Sequence, residues 1–256
     1  MGRLSGVLAA GLGAVLLVTT VAVPGPAAAA GSLPSYLQVG DGVRQLVTVT
    51  SDRWSDTRAR LSVWERAAGG DWQRVRGPVR VRLGWNGWVP GGRRRQNTGT
   101  TPAGSYSMER AFGTRTSPGT ALDYRHVDRD DVWPYEPRDP ATYNILQPRR
   151  AAGSHWRPDY HERLRSYGYE YSYAVVLGFN LPRDVRWSSE RRQYVAGTPA
   201  DTRRGGGIFL HVQRSTYTAG CVAAPLDDVR WIVRRLDPAA SPRIVMGPTD
   251  WVKRRY

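Results

Sequence analysis

Gly207-Ile208-Phe209-Leu210-His211-Val212-Gln213-Arg214-Ser215-Thr216-Tyr217-Thr218-Ala219-Gly220-Cys221-Val222-Ala223-Ala224-Pro225 is the most informative stretch of this 256-residue chain. Ile208 to Val212 is a short apolar run without acidic or basic residues, introduced by Gly205-Gly206-Gly207. Such a run reads as a strand buried on both faces. From Pro225 to Leu236 the period changes, and Leu226, Val229, Ile232, Val233 and Leu236 form the stripe of an amphipathic helix. Proline sits near its first turn, Asp227 and Asp228 at its positive end, and Arg234 and Arg235 at its negative end. The order is therefore strand, loop, glycine-cysteine, helix.

Working outward, most of the chain reads as β-structure. Val43–Thr50 and Arg60–Arg66 alternate apolar and polar residues. Trp72–Arg76 and Val79–Leu83 suggest a hairpin across Gly77-Pro78. Residues 84–101 are rich in Gly and Arg and read as a loop, Pro102-Ala103-Gly104 as a turn, and Ser105–Arg110 as a strand. Residues 114–150, with many Pro and Asp, form a long irregular segment of the kind that carries function. Pro158–Arg165 suggests a short helix, Tyr173–Phe179 a second central strand, and Arg243–Met246 a last one. The expected fold is mainly β, with a few short helices, one of them following the cysteine. A single domain over 33–248 and a basic tail over 249–256 are the simplest division.

The first thirty residues have the three parts of a secretion signal. Arg3 is their only charge, an apolar run extends from Val7 to Val23, and Pro24, Gly25, Pro26 and Ala27 to Ala30 follow. Cleavage near Ala28 or Ala30 would leave a secreted chain with no transmembrane segment; the alternative is an uncleaved membrane anchor. The formal net charge of +15 makes nucleic acid the first partner to consider. Export favours an anionic envelope polymer instead, so no nucleic-acid partner is expected, and the arginines are spread along the chain rather than gathered.

Cys221 is the only cysteine, so an exported chain has no internal disulfide partner for it. It is either an inert buried thiol or a nucleophile. Its position before a helix suggests an electropositive site that favours the thiolate. Glycine at 220 permits an unusual backbone, and its N–H is a candidate oxyanion donor. His211 stands ten residues earlier at the end of a buried strand, and the loop between them can return the thiol to its imidazole. The second ring nitrogen needs an acceptor to set the tautomer. No acidic residue occurs between Gly205 and Ala224. That leaves a backbone carbonyl, such as that of Val212, or a distant side chain.

With those residues assembled, the segment resembles the catalytic motif of the L,D-transpeptidase family (YkuD type), in which a strand histidine is followed by a loop and a Ser/Thr-His-Gly-Cys turn. Here the turn is Thr218-Ala219-Gly220-Cys221. Gly99-Thr100-Thr101-Pro102-Ala103-Gly104-Ser105-Tyr106-Ser107 resembles the family's threonine-proline-glycine stretch. Trp133-Pro134-Tyr135-Glu136-Pro137-Arg138-Asp139, followed by Tyr143-Asn144, resembles a loop of many relatives. Ala219 and Ala223 depart from the pattern, standing where relatives carry histidine and Arg or Asn.

The resemblance implies a β-sandwich or barrel, no cofactor, a cysteine nucleophile, a histidine base and a backbone-carbonyl orienter. It implies attack on a peptidoglycan stem after its third residue, meso-diaminopimelate, with release of D-alanine. Passing the acyl group to an amine of a second stem makes a 3→3 cross-link; passing it to water makes the enzyme an L,D-carboxypeptidase. A catalytically silent envelope-binding protein is the reading from a different class. On this basis Phe209, Ser215, Tyr217 and Thr218 are expected to contact the stem, with Trp133 and Asn144 from the upstream loop.

No metal site is expected. His126, His155 and His161 fit no zinc spacing, and Asp128, Asp130 and Asp131 lack the glycine and distal Glu of a calcium loop. Trp85, Trp88 and Trp133 read as packing under long loops rather than as sugar platforms, and Arg93-Arg94-Arg95 as a solvated basic loop.

Overall fold

The computed structural model describes Gly2, residues 32–148 and residues 156–256. The expected leader over 1–30, and His155, lie outside the described residues. In chain order the strands are β1 (Gln45–Ser51), β2 (Arg58–Glu65), β3 (Gln73–Arg82), β4 (Trp88–Pro90), β5 (Thr101–Ser107), β6 (Arg110–Gly113), β7 (Asp123–His126), β8 (Asp131–Pro134), β9 (Gln147–Pro148), β10 (His161–Arg163), β11 (Ala174–Val176), β12 (Arg183–Ser188), β13 (Gln193–Thr198), β14 (Phe209–Val212), β15 (Val222–Ala224) and β16 (Arg243–Pro248). Two α-helices are described, α1 (Leu226–Arg235) between β15 and β16, and α2 (Thr249–Arg255) after β16. The fold is mainly β.

Eleven strands form one sheet in the order β4-β5-β16-β1-β2-β3-β15-β14-β11-β6-β7. A three-stranded sheet, β10-β8-β9, and a hairpin, β12-β13, complete it. The expected central strands are central: β14 lies between β15 and β11, and β11 between β14 and β6.

Alternation along these strands sends side chains to opposite faces. Leu210 and Val212 of β14, Val175 of β11, and Val222 and Ala224 of β15 join one core cluster, which contains Val229, Ile232 and Val233 of α1. Phe209 of β14, Ala174 and Val176 of β11, Phe112 of β6 and Cys221 join another, with Trp133 and Tyr135 from the segment of β8. One face of the sheet is thus covered by the helix and the other by the small sheet. A third cluster brings Leu46, Trp64 and Val245 together with Val252 of α2.

Several local expectations are corrected. Gly77-Pro78 is not a hairpin turn but lies inside β3, which pairs with β2 on both sides of it, with register shifts at Leu61/Val63 and Val63/Trp64. Gly77 has φ +91°, and a Cβ there would meet Leu61 O at 2.5 Å, so the chain bulges where only glycine fits. Pro102-Ala103-Gly104 is strand rather than turn. The pairing of β5 with β16 runs only from Gly104 to Ser107, so Pro102 owes that neighbour no N–H. Pro158–Arg165 holds no α-helix: two 3-10 turns, Pro158–Tyr160 and Leu164–Tyr167, flank β10. Short strands also interrupt both expected loops, β4 in 84–101 and β7, β8 and β9 in 114–150. Residues 249–255, read as a basic tail, form α2, with Val252 buried.

Candidate active site

β14 and β15 pair in parallel, with Leu210 opposite Val222, His211 opposite Ala223 and Val212 opposite Ala224. Cys221, one residue before β15, sits beside Phe209, whose N–H lies 3.3 Å from its Sγ. Period-two alternation then puts Cys221 and His211 on the same face, diagonal neighbours across two strands. Ala223, directly opposite His211, carries only a methyl group on this face. Both side chains are nearly covered: Cys221 is 8% exposed and His211 7%.

His211 Nδ1 lies 3.0 Å from Val212 O. A carbonyl only accepts, so Nδ1 carries the proton and Nε2 of the neutral ring is left as a base. The ring packs edge-to-face on Tyr171, with centroids 5.5 Å apart. Burial pulls the imidazolium down to about 4, against a smaller opposing effect of the Val212 carbonyl.

Cys221 Sγ donates to Gly207 O at 3.3 Å. Burial, and next the charge of Glu162, push the thiol up to about 12; the Phe209 N–H and Arg94 act in the opposite direction. At neutral pH the resting pair is a thiol and a neutral imidazole, not an ion pair. This corrects the expectation that a helix N-terminus lowers the thiol. The strand β15 intervenes between Cys221 and α1, and α1 packs on the far face of the sheet. A dipole effect confined to the first turn does not reach across.

The turn that presents Cys221 is built by its own hydroxyls. Thr218 Oγ1 donates to Cys221 O at 2.8 Å and accepts from Gly220 N–H at 3.0 Å. Thr218 is itself tied to the end of β3 through Leu83 O at 2.8 Å. The Gly220 N–H assigned to an oxyanion is therefore engaged by the chain, and Thr218, expected to touch substrate, is a buried brace.

The family model for the L,D-transpeptidase catalytic domain (YkuD) matches residues 71–246, more than half of the chain. The chain belongs to this family. No curated protein matches it. The L,D-transpeptidase family acts on peptidoglycan, which makes this a cell-wall protein by membership. Among the described residues, no helix is long and apolar enough to cross a membrane.

Within this L,D-transpeptidase domain the other expected contact residues separate. Phe209 is fully buried and packs against Phe112, Trp133 and Tyr171 beneath the site. Trp133 Nε1 donates to Asn144 Oδ1 at 2.8 Å. The same oxygen accepts from Gly207 N–H at 2.8 Å, and Asn144 Nδ2 donates to Asn180 O at 2.7 Å. Asn144 thus brackets the loop that holds Gly207 against the thiol, with its hydrogen-bonding groups already committed inside the protein. Phe209 is support beneath the site, whereas Trp133 and Asn144, though tied into the protein, also line a cavity of about 630 Å³. Ser215 and Tyr217 are exposed on the 213–220 loop, with Tyr217 edge-on to the half-exposed Trp85. Trp88, in contrast, is buried and donates to Ser51 Oγ at 2.8 Å.

The run Arg93-Arg94-Arg95 reads as solvated in the sequence, yet Arg94 is 4% exposed. Its Nε donates to Thr100 O at 2.9 Å and its Nη1 to Arg204 O at 2.7 Å. Its Nη2 faces the turn that presents Cys221: a Cβ on Gly220, whose φ is +140°, would lie 2.9 Å from it. Glycine at 220 makes room for a guanidinium. Burial lowers the pKa of the Arg94 guanidinium, and a negative charge on Cys221 would oppose that. Its neighbours Arg93 and Arg95 are exposed, so nothing in the run Arg93-Arg94-Arg95 itself marks the middle residue.

Proposed function

We propose that the chain is a secreted cysteine acyl-transferase of peptidoglycan stem peptides, with Cys221 as nucleophile and His211 as base. The observation that carries this is the shared sheet face of Cys221 and His211, with His211 Nδ1 tied to Val212 O so that Nε2 is the basic nitrogen. The sulfur turns from Gly207 O toward the imidazole and attacks the carbonyl carbon of the third stem residue. Because both groups rest neutral, the thiol proton passes to Nε2 as the S–C bond forms. The imidazolium then protonates the departing D-alanine amine, leaving a thioester. The amine of a second stem takes the acyl group and makes the 3→3 cross-link; water in its place gives L,D-carboxypeptidase activity. Arg94 Nη2, beside the Gly220–Cys221 turn, offsets the negative charge that develops there.

Incubation with a carbapenem, followed by intact mass and peptide mapping, tests the assignment. One adduct on Cys221, absent from Cys221→Ala, is the expected result. Turnover of a stem tetrapeptide by Cys221→Ala at the parent rate would discard the cysteine.

A further inference from the structure

Two neighbouring strands carry a block of arginines that the fold leaves without partners. In the pairing of β2 with β3, Arg58 stands directly opposite Arg82, and Arg60 opposite Arg80. Directly opposed residues share a face, and so do residues two apart on one strand, so the four side chains project from one side of the sheet. The intervening Ala59, Leu61, Val79 and Val81 point the other way, into the core that contains the α1 stripe. Arg82 also pairs with Ala223 of β15, and Ala223 with His211 of β14. The block therefore continues the sheet face of Cys221 and His211, and β3 lies two strand spacings, about 10 Å, from β14.

Arg58, Arg60 and Arg80 are exposed and Arg82 is half-buried. Among the described residues, none of the four makes an ion pair or a side-chain hydrogen bond. The acid nearest to them in sequence, Asp56, is occupied: its Oδ2 accepts from Asp52 N–H at 3.1 Å and from Arg53 N–H at 2.8 Å. Other arginines of β3 have partners. Arg76 pairs with Asp228 at 2.6 Å, and Arg74 lies over the Trp64 ring. Like charges set directly opposite each other weaken a sheet. β2 and β3 are also interior strands, so these charges do not guard an open edge. A block that weakens the sheet and protects no edge fits a ligand that supplies the missing negative charge.

We infer that this face binds a phosphodiester polymer of the cell envelope, with the four guanidinium groups set against successive phosphates. A guanidinium fork matches two phosphate oxygens at once. Neighbours along one strand stand about 7 Å apart and neighbours across strands about 5 Å. That grid meets repeated charges on one chain rather than a single carboxylate. Membership of a family that acts on peptidoglycan sets the protein beside the anionic polymers of the envelope. No aromatic residue stands among Arg58–Leu61 or Val79–Arg82, so the block offers no stacking platform for nucleic-acid bases. The inference does not depend on the acyl-transfer reading. It adds a second binding surface, on the same side of the sheet as Cys221.

The test is binding of synthetic poly(glycerol phosphate) to the protein, followed by fluorescence anisotropy over a series of salt concentrations. The parent should bind, with log affinity falling linearly against log salt. Arg60→Gln/Arg80→Gln should weaken binding about tenfold and reduce the salt slope by about two. Arg230→Gln/Arg234→Gln removes the same charge from exposed positions of α1, across the sheet, and should leave affinity within about twofold because distant charges are screened. Removing an opposed like-charge pair relieves repulsion, so Arg60→Gln/Arg80→Gln should be no less stable to denaturant than the parent. That readout separates lost binding from a lost fold. Equal weakening by the two double variants would reduce the effect to net charge and overturn the inference, as would a parent that does not bind. Equal affinity for charge-matched poly-glutamate would remove phosphate recognition, and tighter binding of charge-matched single-stranded DNA would assign the face to nucleic acid; either result overturns it too. None of these outcomes bears on the labelling of Cys221 by a carbapenem, so the acyl-transfer reading stands or falls separately.

Discussion

The two faces of the β14–β15 pair are made by the same few residues and have opposite characters. Toward α1 they present Leu210, Val212, Val222 and Ala224, all apolar and packed with the helix stripe. Toward the small sheet they present Phe209, His211, Cys221 and Ala223, with Glu162 and Tyr171 above. The first face needs nothing but shape. The second buries an imidazole, a thiol and a carboxylate, which stability alone does not favour. The difference separates the part of the molecule that holds the sheet together from the part proposed to do chemistry.

The comparison breaks most sharply on paired substitutions. His211→Ala should slow acyl-enzyme formation by about 10²–10⁴-fold with the fold retained by circular dichroism. A parent-like rate would remove His211 as the base. One residue earlier, Leu210→Ala should instead cost about 2–5 kcal/mol of stability, read by denaturant unfolding. An equal loss of stability at both positions would erase the distinction between the faces.

A smaller effect comes from pH. The folded state holds His211 near 4, whereas the unfolded chain protonates it near its ordinary 6.5. Between those values the unfolded state binds more protons. The contribution from His211 is therefore present above about 6.5 and is lost as pH falls toward 4. His211→Ala should flatten that part of the stability profile, and an unchanged slope would show that the ring is not held neutral by burial.

The smallest effect expected is at Arg94. Arg94→Met should slow alkylation of Cys221 by iodoacetamide at fixed pH by up to about tenfold, the equivalent of one pKa unit. Arg94→Lys, which keeps the charge, should slow it less. Equal rates in both variants would leave the guanidinium with only its bonds to Thr100 O and Arg204 O.

The elements legible in the sequence are those whose pattern is long enough to carry a period. The β1 and β2 alternation and the α1 stripe are of this kind. β15 is only Val222-Ala223-Ala224, too short to show alternation, and its pairing with β14 is a tertiary event. Without it, Cys221 reads as lying just before a helix that starts near Pro225, within reach of a dipole that the strand in fact separates from it. Glu162 was hidden for a related reason: a charged residue in a segment read as helix gives no sign that strand pairing will turn it inward. Asn144 and Thr218 were noticed as motif residues, but their hydrogen bonds run to chain segments far away or to the turn's own backbone, so their bracing roles were not visible.

What the chain determines by itself is the parity of β14: a period of two puts Phe209 and His211 on one side and Leu210 and Val212 on the other, whatever surrounds them. The single cysteine and the glycine before it are equally plain in the letters. Tertiary structure decided which side received the helix and which the roof, and so whether the thiol would rest as an anion or as a neutral group. Burial and charge neighbours set that balance, and both come from segments remote in sequence, Arg94 and Glu162 among them.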